Sequence, residues 1–378
     1  MDTTTSTFRD VAVVASAQTP CYPSFDGPEA TLIMRCINEV LDTTGLERSD
    51  LQFTIAGSCD YLSGAPFAFV SNIDGVGAWP PVYESHVEMD GAWALFEAWI
   101  RLQLGDIDVA VVIGSGKSSP GHHDEVFALQ TDPYVMAPLG LDPTSLAGLQ
   151  ARALIDAGVA DERAFAEVVA RARRAADPAE RRGADGSAER RGADGSAERR
   201  GAEGSATTDV DALLAQPYVA APLRAHDRPA IGDGAAVVVL AAGDRAREIS
   251  DAPVWIRGID HRIESHHPGL RDLTSSPSTA LAAATIGATD APLDVVELMA
   301  SYSPQELVLQ RALGLGDDVV VNPSGGPLVA DPVMATGLIR IAEVARRIAA
   351  GDAHRGLAHA SSGPCLQQNL LCLMEGGD

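Results

Sequence analysis

The sequence predicts an α/β protein built from two successive units of similar architecture. Three observations carry that expectation. Apolar runs of strand length alternate with stretches whose apolar residues recur at helical spacing; the same order of elements restarts after residue 250; and a helical excursion ending in tandem repeats separates the two series. At 378 residues the chain is long enough for about two or three structural units around a large core.

The first unit opens with the strand VAVVASA (11–17). Asp26 and Pro28 then offer an N-cap and a first-turn proline for a helix carrying Ile33, Cys36, Ile37, Val40 and Leu41 on one face. LQFTIAG (51–57) reads as the next strand. A helix bearing Ala92, Leu95, Phe96, Trp99 and Ile100 leads into IDVAVVIG (107–114), a continuous apolar run typical of a strand buried on both faces. The second unit runs through PVWIRGI, an alanine-rich helix (278–287), LDVVELM (293–299), DVVVNPSGG (318–326), a helix near 334–349 and two closing strands. In each unit a strand ends at an acidic residue that begins a helix, Glu88 in the first and Asp331 in the second. Packing about a pseudo-twofold would turn both helix starts toward one cavity, where backbone N–H groups favour developing negative charge.

Residues 180–206 repeat a nine-residue unit, ERRGADGSA, ERRGADGSA, ERRGAEGSA. The unit holds no apolar side chain larger than alanine, too little to offset the entropy of ordering, and it predicts a disordered surface insertion.

Composition narrows the function. Hydrophobic residues make up 46% and charged residues 21%, ordinary globular usage. The net charge of −24, with Lys117 the only lysine, argues against a nucleic-acid scaffold and against adhesion to anionic membranes. Five cysteines without a CxxC pair give neither a disulfide framework nor a zinc ribbon. The opening MDTTTSTFRD has no basic segment before an apolar run, and no apolar stretch nears the roughly 20 residues of a membrane span, so a cytoplasmic protein without membrane insertion is expected. The clusters HHDE (122–125) and SHHP (265–268) do not sit at metal-ligand spacing, and no metal is expected. GxSxG, GxGxxG and Walker-type loops are missing from the sequence.

Four stretches carry a family resemblance. NPSGGPLVADPVMATG (322–337) is similar to NPSGG followed by GHPxGATG; VEMDGAWAL (87–95) with GSGKSSPG (114–121) is similar to a nucleophile helix and a KMSPG strand end; QPYVAAPLRAHDRPAIGDGAAVVVL (216–240) is similar to a segment entering a DGAAA strand; and DVVELMASYSPQEL (294–307) is similar to ELHDCFSxNEL. Together they resemble the thiolase superfamily, in its sterol-carrier-protein-x type. The resemblance implies a thiolase fold, five-layered αβαβα in two duplicated halves. By it the N-terminal half would be 1–117 with 216–248, a CoA-holding loop domain 118–215, and the C-terminal half 249–378. It also implies acyl-CoA ligands, with coenzyme A part of the substrate and no covalently bound cofactor, and a dimer, homomeric or with another thiolase-like chain.

The departures from the family are chemical. Carried over by spacing, the family's acylated cysteine falls on Glu88, its activating histidine on Asp331, its oxyanion donor on Met299 and its second cysteine on His359. A carboxylate cannot replace the thiolate, because a mixed anhydride would hydrolyse and an ionised Glu at a helix start is a poor nucleophile. Glu88, Asp331 and His359 around one cavity would still supply an acid and a base near pH 7. That is the equipment for retro-aldol or hydration chemistry on a β-hydroxyacyl-CoA. Thiolase-like steroid side-chain aldolases also lack the cysteine and pair with a zinc-ribbon/OB-fold partner; they resemble this chain, with Tyr302 as the nearest tyrosine. Cys365 is the candidate for a displaced thiol. Ser119, Gly325, Gly326 and Gly363 are the candidate ligand-binding residues.

Blander roles stand beside each of these. Glu88 is then a helix cap, Asp331 an N-cap before an N1 proline, His359 a satisfied core residue, and Cys365 and Cys372 packing thiols. At the level of the whole protein the alternatives are a non-catalytic thiolase-like subunit or lipid carrier, and an acetyl-CoA acetyltransferase-type enzyme.

Overall fold

The structure, a computed structural model, describes residues 8–64, 66–77, 83–176 and 207–377. The tandem repeat lies outside the described residues. Among the described residues ten strands form the main sheet: β1 (Val11–Gln18), β2 (Phe53–Gly57), β3 (Glu84–Val87), β4 (Val109–Gly116), β8 (Gly234–Ala242), β9 (Val254–Ile263), β10 (Val295–Leu298), β11 (Val320–Val321), β13 (Arg355–Ser362) and β14 (Gln368–Glu375). The short strands β5 (Tyr218–Ala220), β6 (Leu223–Arg224), β7 (Ile231–Gly232) and β12 (Asp331–Pro332) pair separately, β5 with β6 and β7 with β12.

Strand order exposes the duplication. One half runs β1-β8-β4-β2-β3 and the other β9-β14-β13-β10-β11. In each, the first two pairings are antiparallel and the last two parallel. The halves therefore share one topology, and they meet edge to edge where Val11–Val13 pair with Val254–Ile256.

The burial pattern gives the layers. With each half of the main sheet taken as one sheet, alternate strand residues of both pack on two central helices, Gly91–Leu104 and Thr336–Ala349, as in the cluster of Val112, Val238, Ala358 and Leu370 with Leu95 and Leu338. The opposite face of the first sheet covers helix Glu29–Thr44 through Ile33, Cys36, Ile37 and Val40. The opposite face of the second covers helices Pro277–Thr285 and Ser303–Leu313. This is the five-layered αβαβα arrangement that the motifs imply. Excursion helices Pro143–Asp156 and Glu162–Ala175 lie on the outer face of the second half, through Ala151, Leu154 and Phe165.

Three local expectations are corrected. Helix Glu29–Thr44 starts directly after Pro28, with no side-chain cap from Asp26. The first central helix is capped by Asp90, not by Glu88 two residues earlier. Helix Thr336–Ala349 begins five residues after Asp331, so Asp331 and Pro332 are not its cap and first residue; they pair with Ile231 and Gly232 instead.

Candidate functional site

The two central helices start side by side, and one carboxylate joins them. Asp90, 3% exposed, accepts from Ala92 N–H at 2.8 Å, from Gly337 N–H at 2.9 Å and from Leu338 N–H at 3.0 Å. It thus serves amides in the first turn of both helices, where unpaired donors and dipole ends favour an anion. Met334 carbonyl accepts Gly91 N–H at 2.8 Å, closing the same junction from the other side. The polar ends meet as expected, but they hold each other and do not line an open chamber.

Asp331 lies buried beside this junction and accepts from Thr336 Oγ1 at 2.6 Å. Burial pushes its carboxyl up to about 6, opposed by Thr336 and by the charge of Arg340. Asp90 is pushed up to about 6 as well, by burial first, with its three amides opposing and the charge of Asp331 adding. Two acids in contact electrostatically therefore sit near the upper edge of the carboxylate range. Met334 occupies the position of the motif's second glycine and keeps a left-handed backbone, φ 73°. The loop fits because Gly116 has no side chain: a Cβ there would come within 1.9 Å of Val333 carbonyl oxygen.

Glu88 is exposed at the bend after β3, and its Oε1 accepts Asp60 N–H at 2.7 Å. The same carboxylate faces the thiol of Cys59, 3% exposed, which also receives Gln130 Nε2 at 3.4 Å. Burial raises the Cys59 thiol above its usual range, and the neighbouring Glu88 charge adds to the rise. Cys59 packs with Val333 and Met334 of the Asp331 loop. Sequence reading missed Cys59, since no motif marks it; its nearness to Glu88 arises only when β2 and β3 pair in parallel.

His359 does not join this group. On β13, Ala358 and Ala360 face the central layer, so strand alternation turns His359 to the outer face with Leu357. There its Nε2 bonds Asn369 Oδ1 at 2.9 Å, and Asn369 Nδ2 donates to Ser278 Oγ at 2.8 Å. Burial lowers the imidazole to about 4 and keeps it neutral; Nδ1 has no hydrogen-bond partner among the described residues. The expected trio around one cavity is thus split by the sheet.

The remaining candidates are spread out. Tyr302 OH meets Thr144 Oγ1 at 3.2 Å inside the outer-layer core, and burial pushes it up to about 12. Cys365 Sγ lies 3.4 Å from Leu146 carbonyl oxygen, packed with Met136, and burial pushes it up to about 11. Ser119 bonds Asp233 through both its N–H, at 2.9 Å, and its hydroxyl, at 2.7 Å. Gly325 and Gly363 take left-handed φ of 92° and 73°; Gly326, at 63°, borders a small crevice between the halves. That crevice, lined also by Cys21, Ser324, Pro332 and Arg340, encloses about 10 Å³, room for about one water.

The motif residues Asn322 and Ser324 act on the fold. Ser324 donates its N–H and hydroxyl to Glu297, at 3.0 and 2.8 Å, and Glu297 pairs with Arg340 at 2.6 Å. Asn322 Nδ2 donates to Glu306 at 2.8 Å, and Leu298 N–H donates to Asn322 Oδ1 at 2.6 Å. Two buried acids of the fourth motif are thereby tied to the glycine-rich loop.

Comparisons with known proteins agree on the architecture. A solved acetyl-CoA acetyltransferase of Bacillus anthracis is 18% identical with a TM-score of 0.75, covering 99% of this chain and 100% of that one. Human mitochondrial 3-ketoacyl-CoA thiolase gives 16% and 0.75, covering 98% and 99%. At these identities the likeness shows a shared fold, the thiolase fold. In sequence, the chain is 31% identical over 160 residues to an acetyl-CoA acetyltransferase of Methanothermobacter thermautotrophicus, a match over 36% of this chain and 41% of that protein. The chain therefore spans less than half the length of the curated relative it matches. No family model matches.

Proposed function

We propose that the chain is a thiolase-superfamily protein that processes acyl-CoA in lipid or steroid side-chain metabolism, by carboxylate acid–base chemistry and not by cysteine-dependent thiolysis. The observation that carries this is Glu88, the residue on which motif spacing puts the family's nucleophile: its carboxylate is exposed in the bend before the first central helix, with Oε1 accepting Asp60 N–H. The acetyltransferase relative and the thiolase-fold neighbours support an acyl-CoA ligand.

For a β-hydroxyacyl-CoA, Glu88 takes the hydroxyl proton, the Cα–Cβ bond breaks, a carbonyl product leaves, and the acyl-CoA enolate is reprotonated at carbon. Asp331, held near the upper edge of the carboxylate range, is suited to returning that proton. Substrate entry requires the Val333–Met334 loop to move, because Asp331 is enclosed. Dimerisation through the N-terminal half, and a zinc-ribbon/OB-fold partner, belong to the same proposal.

A second reading, a non-catalytic subunit, is favoured by the withdrawal of both Asp331 and His359 from solvent. Turnover of β-hydroxyacyl-CoA thioesters by the purified chain, with and without copurifying partners, separates the two. Glu88→Gln is expected to lose at least a hundredfold in kcat while retaining CoA binding. Unchanged turnover in Glu88→Gln would remove Glu88 from the chemistry, and turnover only with a partner present would assign catalysis to that partner.

A further inference from the structure

The loop after helix His123–Leu129 and the loop after β9 are far apart in sequence and meet at Asp132, His266 and His267. One ligand atom from each residue lies within 4.8 Å of the other two. We infer that this trio is a binding site for a divalent transition-metal ion of the zinc type, clipping the excursion to the C-terminal half.

The donor set is assembled with its hydrogen bonds already arranged. Asp132 Oδ1 is committed to the turn, accepting Val135 N–H at 2.6 Å and Tyr134 N–H at 3.1 Å, so the turn amides do not occupy Oδ2. Oδ2 stands 3.9 Å from His266 Nε2. The two rings lie 4.0 Å apart and tilted by 40°, on one side of the chain although the residues are adjacent. Consecutive residues in an extended strand would point apart; the bend before the 3-10 turn Pro268–Leu270 brings them together. His267 Nδ1 is buried without a hydrogen-bond partner among the described residues, although its ring stands beside a carboxylate.

Two imidazoles and one carboxylate suit zinc and its neighbours, and three protein ligands leave a position for water. Ligands about 2.0–2.1 Å from an ion stand roughly 3.3 Å from one another in a tetrahedron, so closure needs side-chain rotations of about an ångström. The clip has a structural consequence. The Asp132 carbonyl accepts Met136 and Ala137 N–H, at 3.1 and 2.9 Å, and Met136 packs on Cys365 with Leu146. An ion at Asp132 therefore tightens the turn that covers the Cys365 thiol.

The test uses the tag-free full chain stripped by chelator and titrated with Co²⁺, read by its visible absorption, and with Zn²⁺ in calorimetry. One equivalent is expected, with affinity at least tenfold weaker in His266→Ala, His267→Ala and Asp132→Asn; the last keeps an oxygen for the turn amides. His122→Ala, at an exposed histidine of the other cluster, should bind as the parent does. Alkylation of Cys365 should slow on adding metal in the parent and not in His267→Ala. Failure to bind one equivalent, or equal affinity in parent and trio variants, would overturn the site. Acyl-CoA turnover is not the readout, so the outcome is separate from the fate of the Glu88 chemistry.

Discussion

The carboxylate of Asp90 accepts the backbone N–H of Gly337 at 2.9 Å, so a residue of one half caps the central helix of the other. Its second oxygen serves Leu338 and its own helix at Ala92. This single acid converts two adjacent helix starts, otherwise a cluster of buried unpaired amides, into a joint between duplicated halves.

Removing that acid should cost more than an ordinary cap. Asp90→Ala leaves three buried amides unpaired, at about 1–3 kcal/mol each, so a loss of several kcal/mol is expected in urea denaturation. Asp90→Ser, which restores one short acceptor, should recover part of it. Gly337→Ala should also destabilise, because its methyl would lie 2.5 Å from Asp90 Oδ1. A denaturation midpoint for Asp90→Ala equal to the parent's would contradict the joint.

Asp331 and His359 should pull the pH dependence of stability in opposite directions. The Asp331 carboxyl rises from 3.8 to about 6 on folding, so its contribution is fully present below about 3.8 and lost as pH rises through about 6. The His359 imidazole falls from 6.5 to about 4, so its contribution is present above about 6.5 and lost as pH falls through about 4. Each shift corresponds to about 3 kcal/mol. Relative to the parent, Asp331→Asn should gain stability from pH 4 to 6.5 and His359→Gln should lose it. Thermal melts across that window check the signs, and parallel curves for all three proteins would refute both assignments.

The Cys59–Glu88 contact predicts thiol reactivity. Burial first, and then the Glu88 charge, keep the thiol above its usual range, so Cys59 should alkylate slowly at pH 7. Glu88→Gln removes the charge and should speed iodoacetamide labelling at Cys59 by roughly threefold or more, since a small pKa change moves the thiolate fraction directly. Peptide mass analysis reads the site. Labelling at the parental rate would mean that the carboxylate does not act on the sulfur.

Much of the layered fold was legible because apolar periodicity survives in the sequence. Ile33, Cys36, Ile37, Val40 and Leu41 fall on one helical stripe and are buried together against the first sheet. The site was less legible. The sequence put Glu88 and Asp331 at two helix starts turned toward one cavity; the structure puts Asp331 beside Asp90, and the parity of β13 turns His359 to the opposite face. Which residue caps a helix also depends on two positions, a difference smaller than motif matching can fix, so Asp90 was hidden behind Glu88. Asp132 with His266 and His267, like Cys59 with Glu88, is a contact between distant loops and leaves no local signature.

Arg340 and Glu297 form the buried pair that anchors the glycine-rich loop, at 2.6 Å and with side chains 2% and 0% exposed. Burial raises the Glu297 carboxyl, and Arg340 together with the two Ser324 bonds opposes that rise. Arg340→Met leaves the acid enclosed without a cation and should cost about 3–5 kcal/mol at pH 7. The charge-free double variant, Arg340→Met with Glu297→Gln, should be less destabilised than the single, because no buried charge is stranded. A double-mutant cycle in urea measures the difference. If the single variant unfolded no earlier than the double, the pair would not be the anchor of the loop, and the Ser324 bonds alone would have to hold it.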